Sequence, residues 1–134
     1  MTNADVQRLM TSPVLTVEPE TPVDEIADAM LTEEIRSIVA IDDDCTPIGI
    51  LTSTDFVRIV ADGTPKTTTT VGDHMTRAVV TTTPETPVPD VADQMVANGI
   101  SHLPVVDDGE VVGLISATDL TGYVAGMAVR EASD

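Results

Sequence analysis

Two short stretches carry the residue types that could do chemistry in this chain: Thr52-Ser-Thr-Asp55 and Ser116-Ala-Thr-Asp119. Each follows an apolar run, Gly49-Ile-Leu in one copy and Gly113-Leu-Ile in the other, and each reads as a strand entering the first turn of a helix. Such a turn leaves backbone N–H groups unpaired, ready for a capping side chain or an anion. A hydroxyl followed three residues later by an acid is a capping pattern, worth ~1 kcal/mol per cap. The same carboxylate has two acceptor oxygens that suit a vicinal diol such as that of a ribose, with Thr52, Thr54, Ser116 and Thr118 beside it for further oxygens. On the residues alone both readings stand.

Other reactive types are sparse. His74 sits beside Asp73 with no second His nearby and no Cys partner, a poor basis for a metal site. Cys45 is the single cysteine, which rules out an internal disulfide, and its aspartate neighbours disfavour a thiolate. The run Asp42-Asp-Asp44 lacks the spaced ligands of a calcium loop and reads as a solvated turn. No nucleophile–base pair, metal cluster or phosphate-cradling Walker loop is visible, so catalytic, metal and cofactor roles are not expected.

The elements that must position the two stretches are themselves duplicated. Residues 6–60 align with 71–124 with one extra residue, Cys45, in the first copy, and 20 of 54 aligned positions are identical. Repetition at a fixed period is an architectural signal. Each copy parses as strand, helix, strand, strand, helix. Val14–Val17 and Val79–Thr82 are extended. Thr21-Pro22 and Thr86-Pro87 start helices, with Thr as cap and Pro in the first helical position. Val23, Ile26, Ala27 and Met30 give one apolar face, as do Val88, Val91, Ala92 and Met95, with Gly99 as a stop. Strands Arg36–Ile41 and Ser101–Val106 turn through Asp-rich hairpins, Asp107-Asp-Gly109 the clearer one, into Ile48–Leu51 and Val111–Ile115. Helices run from Thr54 to Ala61, with Gly63 beyond, and from Thr118 towards the C-terminus, where Gly122 and Gly126 weaken the second. This is an α+β chain with repeats at 6–63 and 71–126 and a linker at 64–70, inside Ala61–Thr70, where Gly, Pro and four consecutive Thr break any period.

Composition narrows the partners. The 134 residues hold 23 acids against six bases, a net charge of −17, and 42% hydrophobic residues with Phe56 and Tyr123 as the aromatics. The core must be aliphatic, and aromatic stacking of bases has no basis here. So acidic a chain repels nucleic-acid phosphates and anionic membranes, and neither is expected as a partner. No apolar run approaches the ~20 residues that span a bilayer, and no signal-peptide pattern opens the chain, so a cytoplasmic location is expected. The acids are spread along the chain as a solvated surface, a composition resembling cytosolic proteins of salt-accumulating archaea.

The whole pattern resembles a pair of cystathionine beta-synthase (CBS) domains. The resemblance rests on Met10-Thr11 and Met75-Thr76, Thr-Pro-Val at the first helix of each copy, Ser101-His-Leu-Pro-Val-Val-Asp107, the hairpins, and the duplicated Gly-apolar-apolar-Ser/Thr-x-x-Asp. It implies two pseudo-two-fold-related repeats whose small sheets pack together, with helices outside, and a homodimer. It implies a regulatory sensor of an adenosine-containing ligand held in clefts between the repeats, with AMP, ADP, ATP and S-adenosylmethionine as candidates. It carries over ribose binding to Asp55 and Asp119, phosphate or ribose contacts to Thr52, Thr54, Ser116 and Thr118, and cleft positions to Thr16, Thr81 and Pro104. Phosphate-facing positions fall on Arg36-Ser37 and Ser101-His102, where only Arg36 and His102 are even potentially basic. That shortage favours AMP or ADP over ATP, or S-adenosylmethionine. The expected protein is a stand-alone module whose regulated partner is another chain; the alternative is a structural dimerisation module without a nucleotide.

Overall fold

The computed structural model describes residues 5–12, 14–63, 68–77 and 80–133, with side chains through residue 126. In chain order the elements are α1 (Val6–Leu9), β1 (Thr16–Val17), α2 (Val23–Glu33), β2 (Ser37–Ile41), β3 (Pro47–Thr52), α3 (Ser53–Asp62), α4 (Val71–His74), β4 (Thr76–Arg77), α5 (Val88–Asn98), β5 (His102–Asp107), β6 (Glu110–Ser116) and α6 (Ala117–Ser133). Residues 1–4, most of the expected linker (64–67) and Val79 of the expected strand lie outside the described residues.

The chain forms two compact units. One comprises residues 14–79 with 109–111; the other comprises 1–13, 80–108 and 112–134. The first holds a sheet in the order β1-β2-β3-β4, with β1 parallel to β2 and the remaining pairs antiparallel. In the second, β5 and β6 pair, flanked by the parallel bridge Thr82–Val105 and the antiparallel bridge Thr11–Leu114. These bridges are the repeat equivalents of Val17–Ala40 and Thr76–Ile50.

The apolar periodicity lands where expected. Val23, Ile26 and Met30 enter one core with Ile38, Ala40, Leu51 and Ile59. Val91 and Met95 enter the other with Leu103, Val105 and Ile115. Each fully buried aliphatic side chain contributes ~1.5–3 kcal/mol, so these aliphatic clusters carry the burial that aromatics usually supply. Ala27 and Ala92 are half-buried at the edge of the same faces.

Two sequence expectations need correction. Thr21 and Thr86 do not cap their helices. Pro22 and Pro87 hold the cap positions in extended geometry, with ψ of 141° and 144°. The threonine carbonyls accept instead from Val71 N–H (2.9 Å) and Val6 N–H (3.0 Å). Those bonds expose the second correction: α1 and α4 are helical turns that the apolar pattern did not reveal. Val6 completes the core of the unit built from 80 onward, and Val71 completes the core of the unit built from 14 onward. Each unit therefore takes its opening segment from just ahead of the other sequence copy.

The hairpins show why the two copies differ in length. Asp108 and Gly109 both have positive φ (56° and 84°), as a two-residue turn of the primed type requires. In the first copy Cys45 is the added residue, at φ 63°. There Asp42 Oδ1 accepts from the N–H groups of Asp44 (2.9 Å) and Thr46 (3.0 Å), and β2 shifts register between Ala40 and Ile41. Helix α6 runs unbroken through Gly122 and Gly126.

Candidate functional site

Both hydroxyl-x-x-Asp stretches form the same turn. β3 ends at Thr52, which serves as cap of α3, and the Thr52 N–H donates to Asp55 Oδ2 at 2.8 Å. The Thr52 hydroxyl donates to the same oxygen at 3.2 Å. In the other unit the Ser116 N–H donates to Asp119 Oδ2 at 2.8 Å, and the Asp119 N–H donates to Ser116 Oγ at 3.2 Å. The local sequence suits this arrangement: a short hydroxyl at the strand end satisfies one unpaired N–H, and an acid one turn on satisfies another.

The cap consumes one carboxylate oxygen in each copy, and Oδ1 is left. Asp119 Oδ1 has no hydrogen bond among the described residues, whereas Asp55 Oδ1 lies 3.8 Å from Arg58 Nη1. Asp55 is buried, at 8% exposure, while Arg58 is largely exposed; Asp119 is half-buried. A carboxylate has about four lone-pair positions, so each retains at least two for hydroxyl donors after capping.

The strand before each turn brings further predicted residues to the same end. Ser37 opens β2 directly opposite Thr52. The Arg36 carbonyl accepts from the Ser53 N–H (2.9 Å) and the Ser53 hydroxyl (3.1 Å), tying exposed Arg36 to the start of α3. In the second unit the Ser101 carbonyl accepts from the Ala117 N–H at 2.8 Å, and Ser101 Oγ lies 3.1 Å from His102 Nδ1. Thr54 and Thr118 are exposed in the first helical turns.

Three predicted residues sit further along the neighbouring strands. Thr16 is half-buried and pairs with Val39. Thr81 is exposed beside the Thr82–Val105 bridge. Pro104 is fully buried and its carbonyl accepts the Thr82 N–H at 3.0 Å. Thr82 itself is buried, and its Oγ1 has no hydrogen-bond partner among the described residues.

Arg58 was missed among the cations. Its signal is helical spacing: residues three apart on a helix face one another, so an Arg three after Asp55 meets the capping carboxylate. Among the described residues no group of three or more His, Cys, Asp or Glu is placed to hold a metal ion, and no helix is long and apolar enough to cross a membrane.

Two α+β units, each built around a capped strand-to-helix turn, define a tandem-repeat module. The CBS domain model matches residues 5–62 and again 71–126, and the chain belongs to the CBS domain family as a pair. It is 32% identical over 117 residues to protein MJ1225 of Methanocaldococcus jannaschii, covering 87% of this chain and 41% of that one. It is 33% identical over 116 residues to a 17.7 kDa protein of Acidianus ambivalens, covering 86% and 70%. Among solved structures, the CBS domain pair of protein MJ0100, in complex with 5′-methylthioadenosine and S-adenosyl-L-methionine, superposes with a TM-score of 0.82 at 28% identity, covering 94% of this chain and 99% of that one.

Proposed function

We propose that this CBS pair is a regulatory ligand sensor that binds an adenosine-containing molecule, with Asp55 and Asp119 as the ribose-binding carboxylates. The observation that carries this reading is the duplicated capped turn, in which Oδ2 is held by the backbone and Oδ1 is left for a donor. The cap fixes the carboxylate's rotamer before any ligand arrives, so little side-chain freedom is lost on binding. The likeness to a pair that binds 5′-methylthioadenosine and S-adenosyl-L-methionine supports an adenosine ligand of low negative charge. The net charge of −17 argues the same way, against a triphosphate.

CBS pairs are generally regulatory. The output here is a shift between two states of a homodimer or of a regulated partner, and it requires the ligand to bind those states unequally. Calorimetric titration with AMP, ADP, ATP and S-adenosylmethionine in molar KCl tests the reading. Saturable binding of at least one is expected, with ATP weaker than AMP. An absence of binding by all four at millimolar concentration refutes it and leaves a structural dimerisation module.

A further inference from the structure

We infer that Met10 and Met75 are redox-sensitive latches: oxidation of either thioether to the sulfoxide releases the short segment that closes its unit. In each unit a glycine of the returning strand lets a methionine sulfur lie against the backbone. A Cβ placed on Gly49 would fall on Met75 Sδ, and one placed on Gly113 would stand 2.6 Å from Met10 Sδ. Glycine inside a strand often marks such a close approach of another segment. Each methionine caps the C-terminal end of a four-residue helix, α1 or α4, and its N–H donates to the Val6 or Val71 carbonyl at 2.8 Å. Past the methionine, the segment joins its sheet through the Thr11–Leu114 bridge in one unit and through the two residues of β4 in the other.

A helix of four residues is not stable by itself, so these segments open locally more readily than the long helices of the core. Met30 and Met95 sit on such helices, the 11-residue α2 and α5, and are 6% exposed, whereas Met10 and Met75 are half-buried. When a segment lifts, a hydroperoxide reaches the sulfur. The sulfur lone pair attacks one peroxide oxygen and the O–O bond breaks. With hydrogen peroxide, the proton of that oxygen passes to the departing hydroxide, which leaves as water. Sulfur loses two electrons and the peroxide gains them. The product is polar and carries an added oxygen where the thioether had lain on a glycine. Sulfur that close to the strand leaves no room for the oxygen on that side, so the segment does not reseat until the sulfoxide is reduced.

Limited treatment of the whole chain with hydrogen peroxide, followed by peptide mass spectrometry and amide hydrogen exchange, tests this. Sulfoxide is expected at Met10 and Met75 about tenfold faster than at Met30 and Met95. In the oxidised protein, exchange over residues 6–12 and 71–77 should rise about tenfold while α2 and α5 stay protected. Methionine sulfoxide reductases should restore the original rates. The Met10→Leu, Met75→Leu double variant keeps most of both side-chain volumes and cannot take up oxygen there. It retains Met1, Met30, Met95 and Met127, and peroxide is expected to produce no rise in it. The inference is overturned by equal oxidation rates at Met10, Met75, Met30 and Met95, or by sulfoxide at Met10 and Met75 without faster exchange of their segments. An equal rise in the leucine variant overturns it too. The first two outcomes are read on the unmodified chain, so they decide the matter even if leucine loosens the fold.

Discussion

The Ser116 backbone N–H donates to Asp119 Oδ2 at 2.8 Å, the distance at which Thr52 N–H meets Asp55 Oδ2 in the other unit. Helix capping and ligand recognition are thus not rival uses of these aspartates. The cap takes one oxygen and fixes the other, so a residue that stabilises the fold also presents an acceptor. A local pattern of this kind does not identify a binding residue by itself. Thr70-x-x-Asp73 forms the same capping box on a four-residue helix, while Thr21-x-x-Asp24 forms none.

Gly113 is required by the segment that crosses it. A Cβ there would stand 2.6 Å from Met10 Sδ and 3.0 Å from the Thr11 carbonyl. Gly113→Ala is expected to cost about 1–3 kcal/mol in urea unfolding. At Gly49 the three nearest atoms all belong to the Met75 side chain. Met75→Ala should therefore rescue Gly49→Ala more fully than Met10→Ala rescues Gly113→Ala, where a backbone oxygen remains in the way. Equal rescue at the two sites would contradict this packing.

Helix α2 ends on Glu34 in the left-handed conformation, φ 57°, where the equivalent end of α5 has Gly99 at φ 62°. A side chain is strained there, and an acid at a helix C-terminus faces the negative end of the dipole. Glu34→Gly is expected to stabilise the protein by about 0.5–1 kcal/mol, read as a higher melting temperature. A lower melting temperature would show that the Glu34 side chain makes a compensating contact.

Asp73 is held below its ordinary pKa of 3.8, chiefly because the Thr70 N–H donates to its carboxylate, helped by the Thr70 hydroxyl and by His74. A depressed folded pKa contributes stability that is present above the unfolded value and lost as pH falls through the folded one. Asp73→Asn should therefore trail the unmodified chain above pH 3.8 and converge with it as the pH falls further. A stability gap that persists unchanged in acid would point away from the carboxylate charge.

The acid excess predicts a dependence on salt. At a net charge of −17 the folded chain repels itself, and molar KCl shortens the Debye length to roughly 3 Å. Melting temperature is expected to rise steeply from dilute buffer to molar KCl. A flat profile would show that the acids are already balanced within the fold.

The repeat, the apolar helix faces, the hairpins and the capped turns were all legible in the sequence, because each depends on residues near one another in the chain. The pairing of Val6 with the core around Val91, and of Val71 with the core around Ile26, was not. Both positions are valine in an otherwise duplicated context, so local pattern is the same whichever core they join. Their hydrogen bonds to Thr86 and Thr21 decide it. Arg58 is hard to find in the sequence for a different reason: it lies inside α3, away from the strand ends, and reaches the turn through helical i,i+3 spacing.

The central claim is that the oxygens of Asp55 and Asp119 not used by the caps receive ribose hydroxyls. The most direct measurement compares the affinities of AMP and 2′-deoxy-AMP for the unmodified chain and for the Asp55→Asn, Asp119→Asn double variant, whose asparagines can still cap. Loss of the hydroxyl should weaken binding about tenfold in the unmodified chain and by less than about twofold in the double variant. An AMP preference that is equally large in both proteins would place the ribose elsewhere and contradict the account.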